Sequence, residues 1–181
     1  MHSDPKECLY CTNNYGNLMI LIAELSVSRV FLFKEQTYHG RCLVSYNGHV
    51  NDLNELSDEE RNAFMADVAR TTRAMQKVFN PEKINYGAYS DKLSHLHFHL
   101  APKYVDGPDY GGTFQMNPGK VYLSDEEYKD MVEKIKAALY ILWTGTYSPS
   151  PSHEANNHSS KESFKPKDSI LLSHPMEFYN F

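Results

Sequence analysis

The sequence predicts an α+β fold: a five-stranded antiparallel sheet with one long helix, a second helix and a C-terminal tail. Three observations carry this expectation. Short runs of β-favouring residues are separated by turn residues rather than by helical patterns. Two capping boxes, Ser57 with Glu60 and Ser124 with Glu127, each open a stretch whose apolar residues recur at helical spacing. Beyond Trp143 that period stops and Ser, Pro and Asn dominate. The folded domain is therefore expected over 1–143, with 144–181 as a low-complexity tail or arm.

The elements follow in order. Leu18 to Leu25 and Val30 to Phe33 are apolar runs joined by Ser-Val-Ser-Arg, which predicts a strand pair, and Arg41 to Tyr46 extends it as a third strand. Phe64, Val68, Met75 and Phe79 mark a helix of roughly six turns, stopped by Asn80-Pro81. Ile84 to Tyr89 and Leu93 to Pro102 are the fourth and fifth strands, turning at Ser-Asp-Lys. Residues 104–123 carry Gly-Pro, Gly-Gly and Asn-Pro-Gly, so they read as a long loop. Leu123 and Tyr128 can staple the second helix, whose inner face is Met131, Val132, Ile135, Leu139 and Leu142.

Composition excludes several function classes. The net charge of −5 supplies no general positive field, so no nucleic-acid partner is expected and a phosphate ligand needs a local site. No apolar run approaches the roughly 20 residues of a membrane-spanning helix. The polar N-terminus MHSDPKECLYC lacks a secretory apolar stretch, which predicts a cytoplasmic protein. Cys8 and Cys11 form a C-x-x-C pair, suited in such a setting to metal binding or redox chemistry, whereas Cys42 falls inside a strand and reads as a core residue.

The most informative segment is Ser94-His95-Leu96-His97-Phe98-His99-Leu100. Alternation along a strand puts His95, His97 and His99 on one face and Leu96, Phe98 and Leu100 on the core side. Such a row could ligate a metal, or offer one imidazole as a nucleophile toward phosphorus while its neighbours hold phosphate oxygens. Convergence of all three nitrogens on one ion is hard when the outer two Cβ atoms are about 13 Å apart, so the row suits a linear phosphate chain better.

The His-φ-His-φ-His-φ motif, with the preceding strands, the His-bearing turn at Tyr46-Asn-Gly-His49 and the long helix, resembles the histidine-triad family of nucleotide hydrolases and transferases. The likeness spans roughly residues 8–103. It implies a homodimer acting at the α-phosphate of a purine nucleotide, of dinucleoside polyphosphate or nucleoside phosphoramidate type. His97 would be the nucleophile, His99 a phosphate contact and His95 a border of the same site, with Arg41 and Lys92 as further substrate contacts. Cys8-Leu-Tyr-Cys11 resembles the zinc-containing branch, which implies that Cys8, Cys11, His49 and His95 hold a structural zinc. Two departures stand out. Arg41 occupies the position of the family's fourth histidine, for which His39 is the alternative, and Asp91-Lys92-Leu93 replaces the usual Gln-Ser or Gln-Thr before the triad.

Overall fold

The computed structural model describes residues 4–89 and 91–143, and the expected tail 144–181 lies outside them. Strands β1 (Met19–Glu24), β2 (Ser28–Phe33), β3 (Cys42–Tyr46), β4 (Lys83–Ala88) and β5 (His97–Lys103) form one antiparallel sheet in the order β1-β2-β3-β5-β4. The first three are a meander, as the sequence predicts. Helix α1 (Asp58–Phe79) then carries the chain to the far edge, so that β5 returns between β3 and β4. This return sets Ser45 opposite His97 and Leu43 opposite His99.

Strand parity divides the sheet into two working faces. Val30, Leu32, Cys42, Val44 and Leu100 point to the main core, shared with Phe64, Val68 and Met75 of α1 and with Met131, Ile135 and Leu139 of α2 (Asp125–Trp143). The opposite face carries Phe31, Phe33 and Leu43, covered by Cys8, Tyr10 and Met19. Both helix starts are capping boxes: Glu60 N donates to Ser57 Oγ, Glu127 N donates to Ser124 Oγ, and each Glu carboxylate accepts from its own cap backbone. Helix α1 ends where Asn80 adopts the left-handed conformation before Pro81.

A buried carboxylate fastens α1 to the first hairpin. Asp67 accepts from Ser26 Oγ at 3.0 Å, Val27 N at 3.1 Å and Ser28 Oγ at 2.8 Å, so the hairpin turn is held by a charge-assisted cluster.

One boundary differs from expectation in a way that shapes the site. The fifth strand begins at His97, not at Leu93. Before it, Leu96 N donates to Val50 O at 2.6 Å and Leu96 O accepts from Tyr46 N at 3.0 Å, while His95 N turns back to Leu93 O at 2.7 Å. The Tyr46 bond continues the β3–β5 pairing as far as Leu96, whereas the bonds to Val50, in the loop after β3, and to Leu93 leave His95 outside the regular ladder. Only His97 and His99 then share strand parity, and the expected straight row of three is bent at its first member.

Candidate active site and metal centre

The N-terminal turns are pinned to the sheet by Tyr10, which is wholly buried with its ring centroid 4.8 Å from that of His95, 5.3 Å from that of His97 and 5.9 Å from that of Phe31. With Tyr10 seated, the flanking thiols meet two imidazoles. Cys8 Sγ lies 3.4 Å from His95 Nδ1, and Cys11 Sγ lies 3.2 Å from His49 Nδ1 and 3.6 Å from His95 Nδ1. All four donor atoms fall within 4.8 Å of one another. Tetrahedral zinc with Zn–S near 2.3 Å and Zn–N near 2.0 to 2.1 Å requires S···N edges of about 3.6 Å; the three contacts of 3.2 to 3.6 Å match that edge, and the wider pairs, within 4.8 Å, would draw in around such an ion.

The surroundings of the four residues favour a metal-ready state. His95 Nε2 sits 2.8 Å from Tyr46 O and must donate there, which leaves Nδ1 with its lone pair toward the thiols. Burial pushes the His95 imidazole down to about 4, so the ring is neutral at ordinary pH. Burial and the neighbouring Cys8 push the Cys11 thiol up to about 11, and a cation is what would hold the pair as thiolates.

Next along the chain, His97 Nδ1 lies 2.7 Å from His95 O. A carbonyl only accepts, so Nδ1 carries the proton and Nε2 carries the lone pair. Burial holds His97 below the usual histidine range and therefore in the neutral, nucleophilic form. The His99 ring centroid is 5.0 Å away at an interplanar angle of 71°. His95, His97 and His99 are only 0%, 2% and 5% exposed, so any substrate must displace part of what covers them.

Arg41 is wholly buried beside His99, with Nη2 3.0 Å from His99 Nδ1. Its guanidinium carbon is 4.4 Å from the Phe33 ring centroid and 5.0 Å from that of Phe114, and Nη1 donates to Met116 O at 2.6 Å. His39 turns away: it is exposed, and its ring is 5.3 Å from that of Phe79 on α1. Arg41, not His39, thus stands against the triad. Lys92 is exposed in the β4–β5 connection, and among the described residues no hydrogen bond ties it to the histidines.

The long loop lies across this end of the sheet as a strap. Glu35 Oε1 accepts from Lys120 N at 3.2 Å and Val121 N at 3.3 Å, Gln36 N donates to Val121 O at 2.9 Å, and Gln115 N donates to Tyr38 Oη at 2.7 Å. The sequence reading did not single out Tyr10, Glu35, Phe114 or Met116. Only Tyr10 carries a local signal, because an aromatic inside C-x-x-C beside a sheet has to be buried; the others depend on where the loop returns.

A five-stranded antiparallel sheet whose fifth strand offers paired imidazoles beside a Cys/His cluster is the arrangement of this chain's candidate site. The HIT domain family model matches residues 19–106. The chain is 28% identical over 138 residues to the adenosine 5'-monophosphoramidase of Schizosaccharomyces pombe, covering 73% of this chain and 98% of that protein. Among solved structures it resembles a histidine triad protein from Marinobacter aquaeolei, with TM-score 0.65, 18% identity and 72% and 95% of the two chains covered. A zinc-bound histidine triad family protein from Mycobacterium smegmatis matches with TM-score 0.55 and 19% identity, covering 78% of this chain and 99% of that one. Over residues 19–106 the chain thus matches a HIT domain, and its fold is that of these histidine triad proteins.

Proposed function

We propose that the protein hydrolyses or transfers at the α-phosphate of a purine nucleotide, of dinucleoside polyphosphate or nucleoside phosphoramidate type, through a covalent intermediate on His97. The observation that carries this reading is the His97 Nδ1 to His95 O bond of 2.7 Å, because it leaves Nε2 as the free nucleophile. The Nε2 lone pair forms a bond to phosphorus as the bond to the leaving group breaks, and the leaving group departs with that electron pair and takes up a proton. Water then bonds to phosphorus, the P–N bond breaks, and its electron pair returns to Nε2. His99 is the phosphate contact, and His95 borders the site while its ring serves the metal cluster. Lys92 is a substrate contact only if its loop closes over the ligand.

The donor set supports a structural zinc on Cys8, Cys11, His49 and His95. Bound there, zinc would tie the N-terminal turns to the start of β5 and hold the two thiolates. The similarity to an adenosine 5'-monophosphoramidase supports a nucleotide substrate. Among the described residues no helix is long and apolar enough to cross a membrane. The open β4 edge, where Tyr86 is exposed, supports a homodimer joined edge to edge.

Near-complete burial of His97, together with Arg41 at the fourth-histidine position, favours a second reading: a zinc-stabilised nucleotide-binding or scaffolding protein with weak or no catalysis. One experiment separates the two. The purified protein is incubated with a panel of dinucleoside polyphosphates and adenosine phosphoramidates, and release of mononucleotide is followed. Turnover abolished by His97→Ala supports the enzyme; binding without turnover in the wild type supports the scaffold.

A further inference from the structure

Arg41 is an unusual residue to bury. Its side chain is fully enclosed, and among the described residues it forms no ion pair. Removing a cation from water costs several kcal/mol in a protein interior, and besides the field of the buried Glu35 carboxylate the fold sustains it through specific contacts. Those contacts use nearly the whole fork. Nη1 donates to Met116 O at 2.6 Å, Nη2 meets His99 Nδ1 at 3.0 Å and Met116 Sδ at 3.3 Å, and the guanidinium is enclosed by the Phe33 and Phe114 rings. Nε alone has no hydrogen-bond partner, and with both Nη groups engaged it offers a phosphate one donor and no bidentate edge. The guanidinium therefore acts on the reaction through its neighbours and not as a direct phosphate clamp.

The contact with His99 has one chemical meaning. A guanidinium has only donors, so the His99 Nδ1 facing it must be an acceptor, and the ring proton must sit on Nε2. A histidine in Arg41's place would leave the choice open, since an imidazole can donate or accept. We propose that Arg41 is a positioning residue that locks His99 in the Nε2–H tautomer, so that His99 meets a phosphate oxygen only as a hydrogen-bond donor.

This deepens the hydrolase reading and rests on it for the role of His99. The other groups around His99 do not compete for Nδ1. Phe33 on β2 and Phe114 on the strap are apolar, and His97 on β5 and the Tyr89 ring after β4 lie against its ring at centroid distances of 5.0 Å and 6.4 Å. Burial first, and then the Arg41 charge, push His99 down to about 2, which agrees with a ring that stays neutral.

The test is long-range proton–nitrogen NMR of the histidine rings in the zinc-loaded full chain, with His99 assigned by His99→Gln. Wild type should show His99 as a single Nε2–H tautomer. Arg41→Met fills the same apolar enclosure without a donor, and should give mixed His99 tautomers and a kcat at least about tenfold lower, with KM changed by less than about threefold. Arg41→Lys, still donor-only, should keep Nε2–H even though it loses the strap bonds, and it stands in if the Met variant does not fold. An Nδ1–H tautomer in wild type or in Arg41→Lys overturns the proposal. So does an unchanged tautomer or an unchanged kcat in Arg41→Met. If wild type turns over none of the nucleotides, the hydrolase reading fails instead, and the tautomer remains readable.

Discussion

The carbonyl oxygen of His95 stands 2.7 Å from Nδ1 of His97. The same residue thus offers its ring to the Cys/His cluster and its backbone to the proposed nucleophile. Metal occupancy and nucleophile orientation share one peptide unit, which makes the cluster more than a distant staple. Removing zinc with a chelator should lower the melting temperature and reduce turnover together, and restoring zinc should recover both. A metal hydrolase behaves differently: chelation would abolish turnover in protein that remains fully folded. Melting curves and rates measured on the same chelated sample distinguish the two.

The ligand set makes its own prediction. Metal analysis should return one zinc per chain in protein purified without chelator. Cys8→Ser, which removes the buried thiol, should lower zinc content and melting temperature more than Cys42→Ala, since Cys42 is buried on the opposite face of the sheet and belongs to no ligand set. Equal zinc content in wild type and Cys8→Ser would remove Cys8 from the site.

His97→Ala should abolish turnover while nucleotide affinity stays within about tenfold, or about 1.4 kcal/mol, because His99 and its contact with Arg41 remain. Rapid quench into alkaline denaturant, where a histidine P–N bond survives, followed by mass analysis should find the nucleotidyl adduct in wild type and not in the variant. Normal turnover by His97→Ala would end the assignment.

Most of the architecture was legible in the sequence because each element announces itself locally: capping boxes at Ser57 and Ser124, a helix stop at Asn80-Pro81, and strict alternation from Leu96 to Leu100. The ligand set came from resemblance, and its convergence depends on loops that no period encodes. The kink that takes His95 off the strand is marked by the Leu96 bond to Val50, which is distant in sequence, and by the turn of His95 N back to Leu93. Nor does anything local to Arg41 reveal that Phe33, Phe114 and Met116 enclose it, because Phe114 and Met116 come from a loop whose path is set by the amide bonds to Glu35.

Acid should weaken the fold through the buried imidazoles. Burial holds His99 down to about 2 and His97 below its ordinary value near 6.5. Below about pH 6.5 the unfolded chain takes up protons at these positions that the folded chain refuses. Stability should therefore be level above that pH and fall as pH drops from about 6.5 toward 4, by up to about 1.4 kcal/mol per pH unit for each such ring. Denaturant titrations at several pH values give this slope, and His99→Gln should make it shallower. A slope unchanged by that substitution would show that His99 is protonated in the folded state.

Gly40 immediately precedes Arg41 and tests how tightly the turn before β3 is specified. Its φ of +87° lies where only glycine is at ease, and a Cβ there would come within 2.6 to 2.9 Å of three Phe79 ring atoms. Two separable penalties follow, one from backbone conformation and one from collision with the end of α1. Gly40→Ala should cost about 1–3 kcal/mol from the backbone alone, with the steric contribution added. Phe79→Ala in the same chain removes the ring and so relieves only the second penalty. The double variant should then be less destabilised than the sum of the two singles, with a coupling of about 0.5–3 kcal/mol in denaturant melts. Strict additivity would mean that Phe79 moves aside freely, and that Gly40 is required for its φ alone.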